Sequence, residues 1–419
     1  MIKYKKFTLD NGLRVLVHVD KSTPIITINT VFDVGAKDEN ENRTGFAHLF
    51  EHLMFGGSVN IPEFDSPLQN VGGQNNAFTS NDITNYYITL PKQNIETGLW
   101  LESDRMLSLA FTPESLEVQR SVVIEEFKQM YLNQPYGDVM LLLRPLAYKE
   151  HAYKWPTIGK EISHIENAKM QDVKDFFHKH YTPQNAILSI AGDISVEEVK
   201  ELVTKWYGDI PKGNKYERNL LQEPKQTQAR LLEVKRDVPQ NGIYKAWHIC
   251  NRMHKDYYAI DLLSDVLGRG NSARLYQDLV KGKGLFTEIS AYQMGSMENG
   301  LFLVSGKVKE GIDMEVADAA ILETLEAVKN ELIDLNELTK VKNKVEATDA
   351  FGNVNALNKA MRIGYFELLG DANLGNEEPE EYAKVTAKSI QKVAKKYLIK
   401  SNCSTLYYVS DKNKSRFLS

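Results

Sequence analysis

Apolar and polar residues alternate along "RVLVHV", Arg14–Val19, and again along "IITINTVFDVG", residues 25–35. A period of two sends successive side chains to opposite faces, so both stretches predict strands. "NYYITLP" (85–91) and "ILSIAGD" (187–193) predict two more. Residues 93–109 and 113–132 carry the longer period of helices. Ser195 is the expected N-cap of a helix reaching Tyr207. The segment "DIPKGNKYERNLLQEPKQTQ", 209–228, holds Pro and Gly and follows neither period. Residues 211–228 of it read as a linker between an N-terminal domain, 1–210, and a C-terminal domain, 229–419.

The two domains echo each other. "VKDFFHKHYTPQNAILSIAGD" (173–193) and "IQKVAKKYLIKSNCSTLYYVSD" (390–411) each end a helix at Tyr, reach Asn and run a strand to Asp. The same comparison sets "AIDLLSDVLGRGNS" (259–272) against "AHLFEHLMFGGS" (47–58). The expected fold class is α/β, of the α+β kind. Each of two homologous halves is a mixed, mostly antiparallel sheet with helices on one side.

Composition narrows the function without naming it. The chain of 419 residues is 42% hydrophobic and 26% charged, the balance of a globular protein. A net charge of -5 gives nucleic acid no reason to bind. No apolar run approaches the roughly 18 residues of a membrane span. Two cysteines, Cys250 and Cys403, exclude a disulfide framework and a cysteine-rich metal site. The N-terminus lacks the apolar stretch of a signal peptide, so a cytoplasmic location is expected, or a periplasmic one if a leader has been removed.

"GFAHLFEHLMFGGS", Gly45–Ser58, carries the chemistry. On a helix, Phe46, Leu49, Phe50, Leu53 and Met54 share one face. His48, Glu51, His52 and Phe55 share the other. Imidazoles one turn apart suit zinc at about 2.0–2.1 Å from each nitrogen, and the intervening glutamate lies beside them, able to hold a water. The Ile260, Leu263 and Ser264 set in the second half has none of these groups.

Catalytic zinc needs a third protein ligand and an open position. The helix after Thr112 and Pro113 offers Glu125 and Glu126. Its apolar face holds Leu116, Val123, Phe127 and Met130. Glu125 points away from that face, toward solvent. Glu126 lies at its edge beside Val122 and Val123, which favours it as the ligand.

"HLFEH" followed by "QRSVVIEE" some 65 residues later resembles the inverted-zincin metallopeptidases of the pitrilysin–insulysin family. "LDNGLRVLV", "GGQNNAFTSNDITNYY", "LESDRM" and "GNSARLYQDLVKGKGL" extend the similarity along nearly the whole chain. It is greatest to the half-length subfamily that includes the mitochondrial processing peptidase β subunit and bacterial zinc peptidase subunits. The resemblance implies one Zn²⁺ per chain on His48, His52 and Glu126, with Glu51 as general base. It implies that Asn76, Ala77 and Phe78 lie on an edge strand that takes the peptide substrate in extended form. Two such chains would close around a chamber admitting peptides and unfolded segments.

Two departures stand out. Gln119 replaces a Glu of many relatives. In the second half, active relatives carry an Arg and, seven residues on, a Tyr that reach the substrate; "LVKGKGLFT" has Val280 and Thr287 there. The expected partner is therefore a homologous subunit supplying the Arg/Tyr pair. The alternatives are a self-sufficient homodimer, with Lys281 or Lys283 holding substrate, and a scaffold subunit without catalysis. "HKH" (178–180), His248 and His254 beside Cys250, and "LGRGNS" read as structural features.

Overall fold

The computed structural model describes residues 1–411; residues 412–419 of the expected C-terminal domain lie outside the described residues. Its contacts divide it into two compact units. The first comprises Met1–Lys128, Trp155–Leu220 and Asp349–Glu378. The second comprises Gln129–Lys154, Leu221–Thr348 and the chain from Pro379 on.

The first unit holds a six-stranded sheet of β1 (Lys5–Thr8), β2 (Arg14–Val19), β3 (Ile25–Phe32), β4 (Gln74–Thr79), β5 (Thr84–Pro91) and β6 (Ala186–Gly192). Its order is β1-β2-β6-β3-β5-β4. Only β2 and β6 run parallel; the other neighbours are antiparallel. The second unit holds β7 (Arg230–Arg236), β8 (Gly242–His248), β9 (Phe286–Met294), β10 (Leu301–Val308) and β11 (Cys403–Ser410), in the order β7-β11-β8-β10-β9. Here β7 and β11 are the parallel pair. Without β1 the two orders coincide, so β2, β6, β3, β5 and β4 correspond to β7, β11, β8, β10 and β9.

One repeated side chain locks both copies. Asn185 Nδ2 donates to His180 O at 2.9 Å, closing the preceding helix, and to Asp33 O at 3.1 Å, just past β3. Asn402 Nδ2 donates to Tyr397 O and to His248 O, the end of β8, both at 2.9 Å. Each amide thus satisfies a helix-terminal carbonyl, which has no partner within its helix, and pins the helix to the corresponding strand.

The units depart from a single cut at the linker. The helix Ala356–Leu368 belongs to the second half of the sequence yet packs on β3 and β6 of the first unit. Gly364 permits the close approach: a Cβ there would stand 2.7 Å from Ser189 Oγ. The helix Val139–Ala147 makes the reciprocal crossing, packing on β7, β8 and β11. Alternate residues of β8 and β10 therefore enter different cores. Tyr244, Ala246, Leu301 and Leu303 join Val139 and Leu143 on one face. Ile243, Trp247, Phe302 and Val304 join the second half's own helices on the other. The centre of the first sheet is covered likewise, and β6 is buried along its whole length.

Residues 211–227 form no helix or strand. They are nevertheless pinned at both ends. Arg218 donates to the carboxylates of Asp33 and Asp38. Glu223 accepts from the backbone N–H groups of Lys149, Glu150 and His151. Among the described residues no helix is long and apolar enough to cross a membrane.

Replacing Asn402 by Ala strips Tyr397 O and His248 O of their side-chain donor, and replacing Asn185 by Ala strips His180 O, while Asp33 O keeps Arg218. Each variant should lose about 1–3 kcal/mol of stability, read as a lower urea midpoint. An unchanged midpoint in both would mean that the amides do not hold their turns.

Candidate metal centre

The helix Phe46–Leu53 buries Phe46, Ala47, Leu49, Phe50 and Leu53 and leaves His48, Glu51 and His52 half-buried. Gly45 precedes it at φ 88°, a left-handed conformation that glycine adopts without strain. Glycine brings no capping side chain, and Glu39 supplies one. Its carboxylate accepts from Gly45 N at 2.9 Å and Ala47 N at 2.8 Å. Burial pushes the Glu39 carboxyl up to about 8, against the pull of those two donors.

The helix Pro113–Phe127 starts as its sequence predicts: Thr112 Oγ1 accepts from Ser115 N at 3.0 Å, and Pro113 occupies the first turn. Leu116, Val123 and Phe127 are buried. Met130 is exposed instead, because the helix widens into a π-turn at Lys128–Leu132. Arg120 fixes this helix by donating to Ile165 O and Ala168 O at 3.2 and 2.6 Å.

His48, His52 and Glu126 form the group of possible metal-ligating side chains found among the described residues. Glu126 Oε2 lies 3.4 Å from His52 Nε2 and 3.6 Å from His48 Nε2. Tetrahedral donors at ~2.0–2.1 Å from zinc stand ~3.3–3.4 Å apart, so both separations at Glu126 are close to what such an ion requires. Two imidazoles with one carboxylate are also a donor set of catalytic zinc. Burial lowers His48 to about 4, which keeps a lone pair available. The neighbouring His52 holds Glu126 below the usual carboxylate range. His48 Nδ1 has no hydrogen-bond partner among the described residues, so its tautomer follows what binds Nε2. Glu125 points elsewhere and pairs with Lys128 at 2.7 Å.

Glu51 stands beside this group without joining it. Its Oε2 accepts from Thr79 Oγ1 at 2.6 Å, and burial raises its carboxyl. Thr79 ends β4, the edge strand of the sheet. Asn76 and Phe78 are exposed along that edge, and Asn76 Oδ1 accepts from Ala77 N at 2.8 Å. In the second unit, Ile260, Leu263 and Ser264 are buried. Val280 packs against the core there, and Thr287 Oγ1 donates to Gln240 Oε1. His180 is buried against Tyr216, and His248 Nε2 lies 3.0 Å from Ala147 O; neither joins the metal-ligating group.

Sequence reasoning missed Glu39, Thr79 and the anchoring contacts of Arg120. No spacing rule links Glu39 to the helix it caps. Thr79 lies within "GGQNNAFTSNDITNYY", but its reach to Glu51 depends on how β4 meets that helix.

Residues 14–161 match the family description Insulinase (Peptidase family M16), and residues 167–345 match Peptidase M16 inactive domain. The zinc protease PqqE of Helicobacter pylori is 32% identical over 352 residues, covering 81% of this chain and 78% of that one. The crystal structure of a protease from Helicobacter pylori superposes with a TM-score of 0.90 at 29% identity, over 97% of this chain and 100% of that one. The periplasmic protease PqqL of Escherichia coli shares the fold, with a TM-score of 0.78 at 17% identity over 99% of this chain. Only 48% of PqqL is covered, so this chain corresponds to about half of it. With both halves matched and a relative this similar over four-fifths of its length, the chain belongs to the insulinase family of peptidases, M16.

Proposed function

We propose that this chain is the zinc-bearing subunit of an endopeptidase that cleaves peptides and unfolded segments within a chamber closed by a homologous partner. The approach of His48 Nε2 and His52 Nε2 to Glu126 Oε2, with Glu51 alongside, carries the proposal. His48, His52 and Glu126 hold one Zn²⁺. When bound, zinc supplies Lewis acidity for activating water and polarising the scissile carbonyl.

The remaining chemistry belongs to the chain. Thr79 holds Glu51 by one oxygen. The other takes a proton from the attacking water and returns it to the leaving amine. The edge of β4 offers backbone groups to an extended peptide, with Asn76, Ala77 and Phe78 as the contact residues. Asn76 Oδ1, now on Ala77 N, yields that donor to the incoming strand.

The partner supplies groups aimed at the substrate backbone. Val280 is apolar and packed inward, and the Thr287 hydroxyl is occupied by Gln240. This chain covers 48% of PqqL, and a homologous partner would bring the pair to about that length, which supports pairing as the working arrangement.

Elemental analysis tests the ligands. Glu126→Gln should weaken zinc binding beyond the ~10–100-fold effect of an outer-shell partner, while Glu125→Gln leaves it unchanged. Equal zinc loss in both would reassign the third ligand.

Glu51→Gln should retain zinc and lose on the order of 10² or more in turnover of an unstructured peptide. Loss of the metal, or turnover near wild type, would remove Glu51 from the base role.

The chain alone should bind zinc but cleave that peptide poorly. Addition of a same-length relative that carries the Arg/Tyr pair should raise the rate by on the order of 10². Full activity of the isolated chain would favour the homodimer.

A further inference from the structure

Strand register separates the two faces of the six-stranded sheet. Gln74 stands opposite Thr89, and Thr89 opposite Thr27. Asn76 stands opposite Tyr87. Alternate strand positions point to opposite sides, so these residues share one face. Thr79, whose hydroxyl holds Glu51, lies on the other.

A cleft of about 640 Å³ opens on the first face, between β4 and the start of the helix Ala356–Leu368. Thr27, Gln74, Asn76, Tyr87, Thr89 and Asn355 line it. The rest of its lining is aliphatic, hydroxyl or amide, and none of it is Asp, Glu, Lys, Arg or His. Thr27 is fully buried, and its Oγ1 has no hydrogen-bond partner among the described residues. A buried hydroxyl in that state is costly, and a ligand group bonded to it recovers the loss.

We propose that this cleft is a substrate subsite for uncharged polar side chains, those of Asn, Gln, Ser and Thr. The assignment rests on β4 being the strand along which the peptide lies. A peptide added to that edge continues the pleat, so every second side chain turns to the cleft face. Asn76 is three residues from Thr79, or ~10 Å at ~3.3 Å per residue. The side chain entering the cleft therefore stands about three to five positions from the bond that Glu51 serves. An ammonium or carboxylate placed there would shed water and find no counter-charge. An amide or hydroxyl would exchange its water bonds for those of Thr27, Asn76 and Asn355.

Asn355 provides a test that leaves the fold alone. Its Oδ1 caps the helix, accepting from Leu357 N at 2.8 Å. Aspartate makes the same cap, so Asn355→Asp adds a charge to the cleft and keeps the helix start. The probes are fluorescent decapeptides with Asn, Leu, Lys or Asp fixed at each position in turn. Their binding is measured on the zinc-loaded chain bearing Glu51→Gln together with its partner, a pair that holds substrate while turnover is slowed by on the order of 10² or more. The cleavage site is mapped from products of the unsubstituted enzyme with its partner.

At one position three to five residues from that site, Asn should bind roughly 10-fold tighter than Lys or Asp. Asn355→Asp should raise Lys at that position by roughly 10-fold and leave preferences elsewhere unchanged. Thr27→Val, nearly equal in shape, should reduce the Asn preference at the same position. A Lys/Asn ratio unmoved by Asn355→Asp, or one shifted equally at every position, would overturn the subsite. Failure of every peptide to bind would overturn the peptidase reading itself, and the subsite with it.

Discussion

Side chains that would share one metal ion from two different helices must be held to within a few tenths of an ångström, and here residues 158–168 act as the bracket. Gly45, at the start of the His48/His52 helix, is so close that a Cβ would stand 2.6 Å from Ile158 O and 2.8 Å from Ile165 Cδ1. Thr44 just before it is bonded to Lys160 N and, through its own N–H, to His164 Nδ1. Arg120 on the Glu126 helix donates to Ile165 O and Ala168 O. The His48/His52 helix and the Glu126 helix thus rest on one segment. Glu39 then fixes the axis of the first by capping its N-terminus. These anchors hold the two helices where Glu126 comes within 3.4 and 3.6 Å of the imidazoles.

The floor of the site is built with comparable care. Arg105 is buried and paired with Glu102, and its guanidinium lies over Tyr86 and Phe64 at 4.4 and 4.7 Å. Breaking a buried pair of this kind by removing one partner leaves an uncompensated charge. Phe55, which follows the His48/His52 helix, meets Phe64 edge-to-face and Tyr86 at a tilt in the same cluster. The polar face of the helix is therefore presented from a rigid aromatic base.

The second half repeats the architecture with different chemistry. Strand order, the parallel pair and the Asn-locked turn are all repeated. At the positions of His48, Glu51 and His52 stand Ile260, Leu263 and Ser264, which are buried. Removing the polar groups let that helix bury both faces, so the repeat serves as core where its counterpart serves as a site. The match of residues 167–345 to an M16 inactive domain agrees with that division.

The sequence by itself determined what depends on local spacing. Alternation located β2 and β3, the Ser195 and Thr112 caps started their helices where expected, and the helical period put His48, Glu51 and His52 on one face. It also separated Glu126 from Glu125, because adjacent helical residues differ by 100° and only one can face inward. Tertiary structure alone decided which surfaces meet. The helices Val139–Ala147 and Ala356–Leu368 show an apolar face in the sequence, yet period says nothing about which sheet will cover it. They crossed to opposite units and displaced the simple domain boundary. Glu39, Thr79 and the bracket at 158–168 were silent for the same reason. Their roles arise from contacts between segments far apart in the chain, and no local period records such contacts.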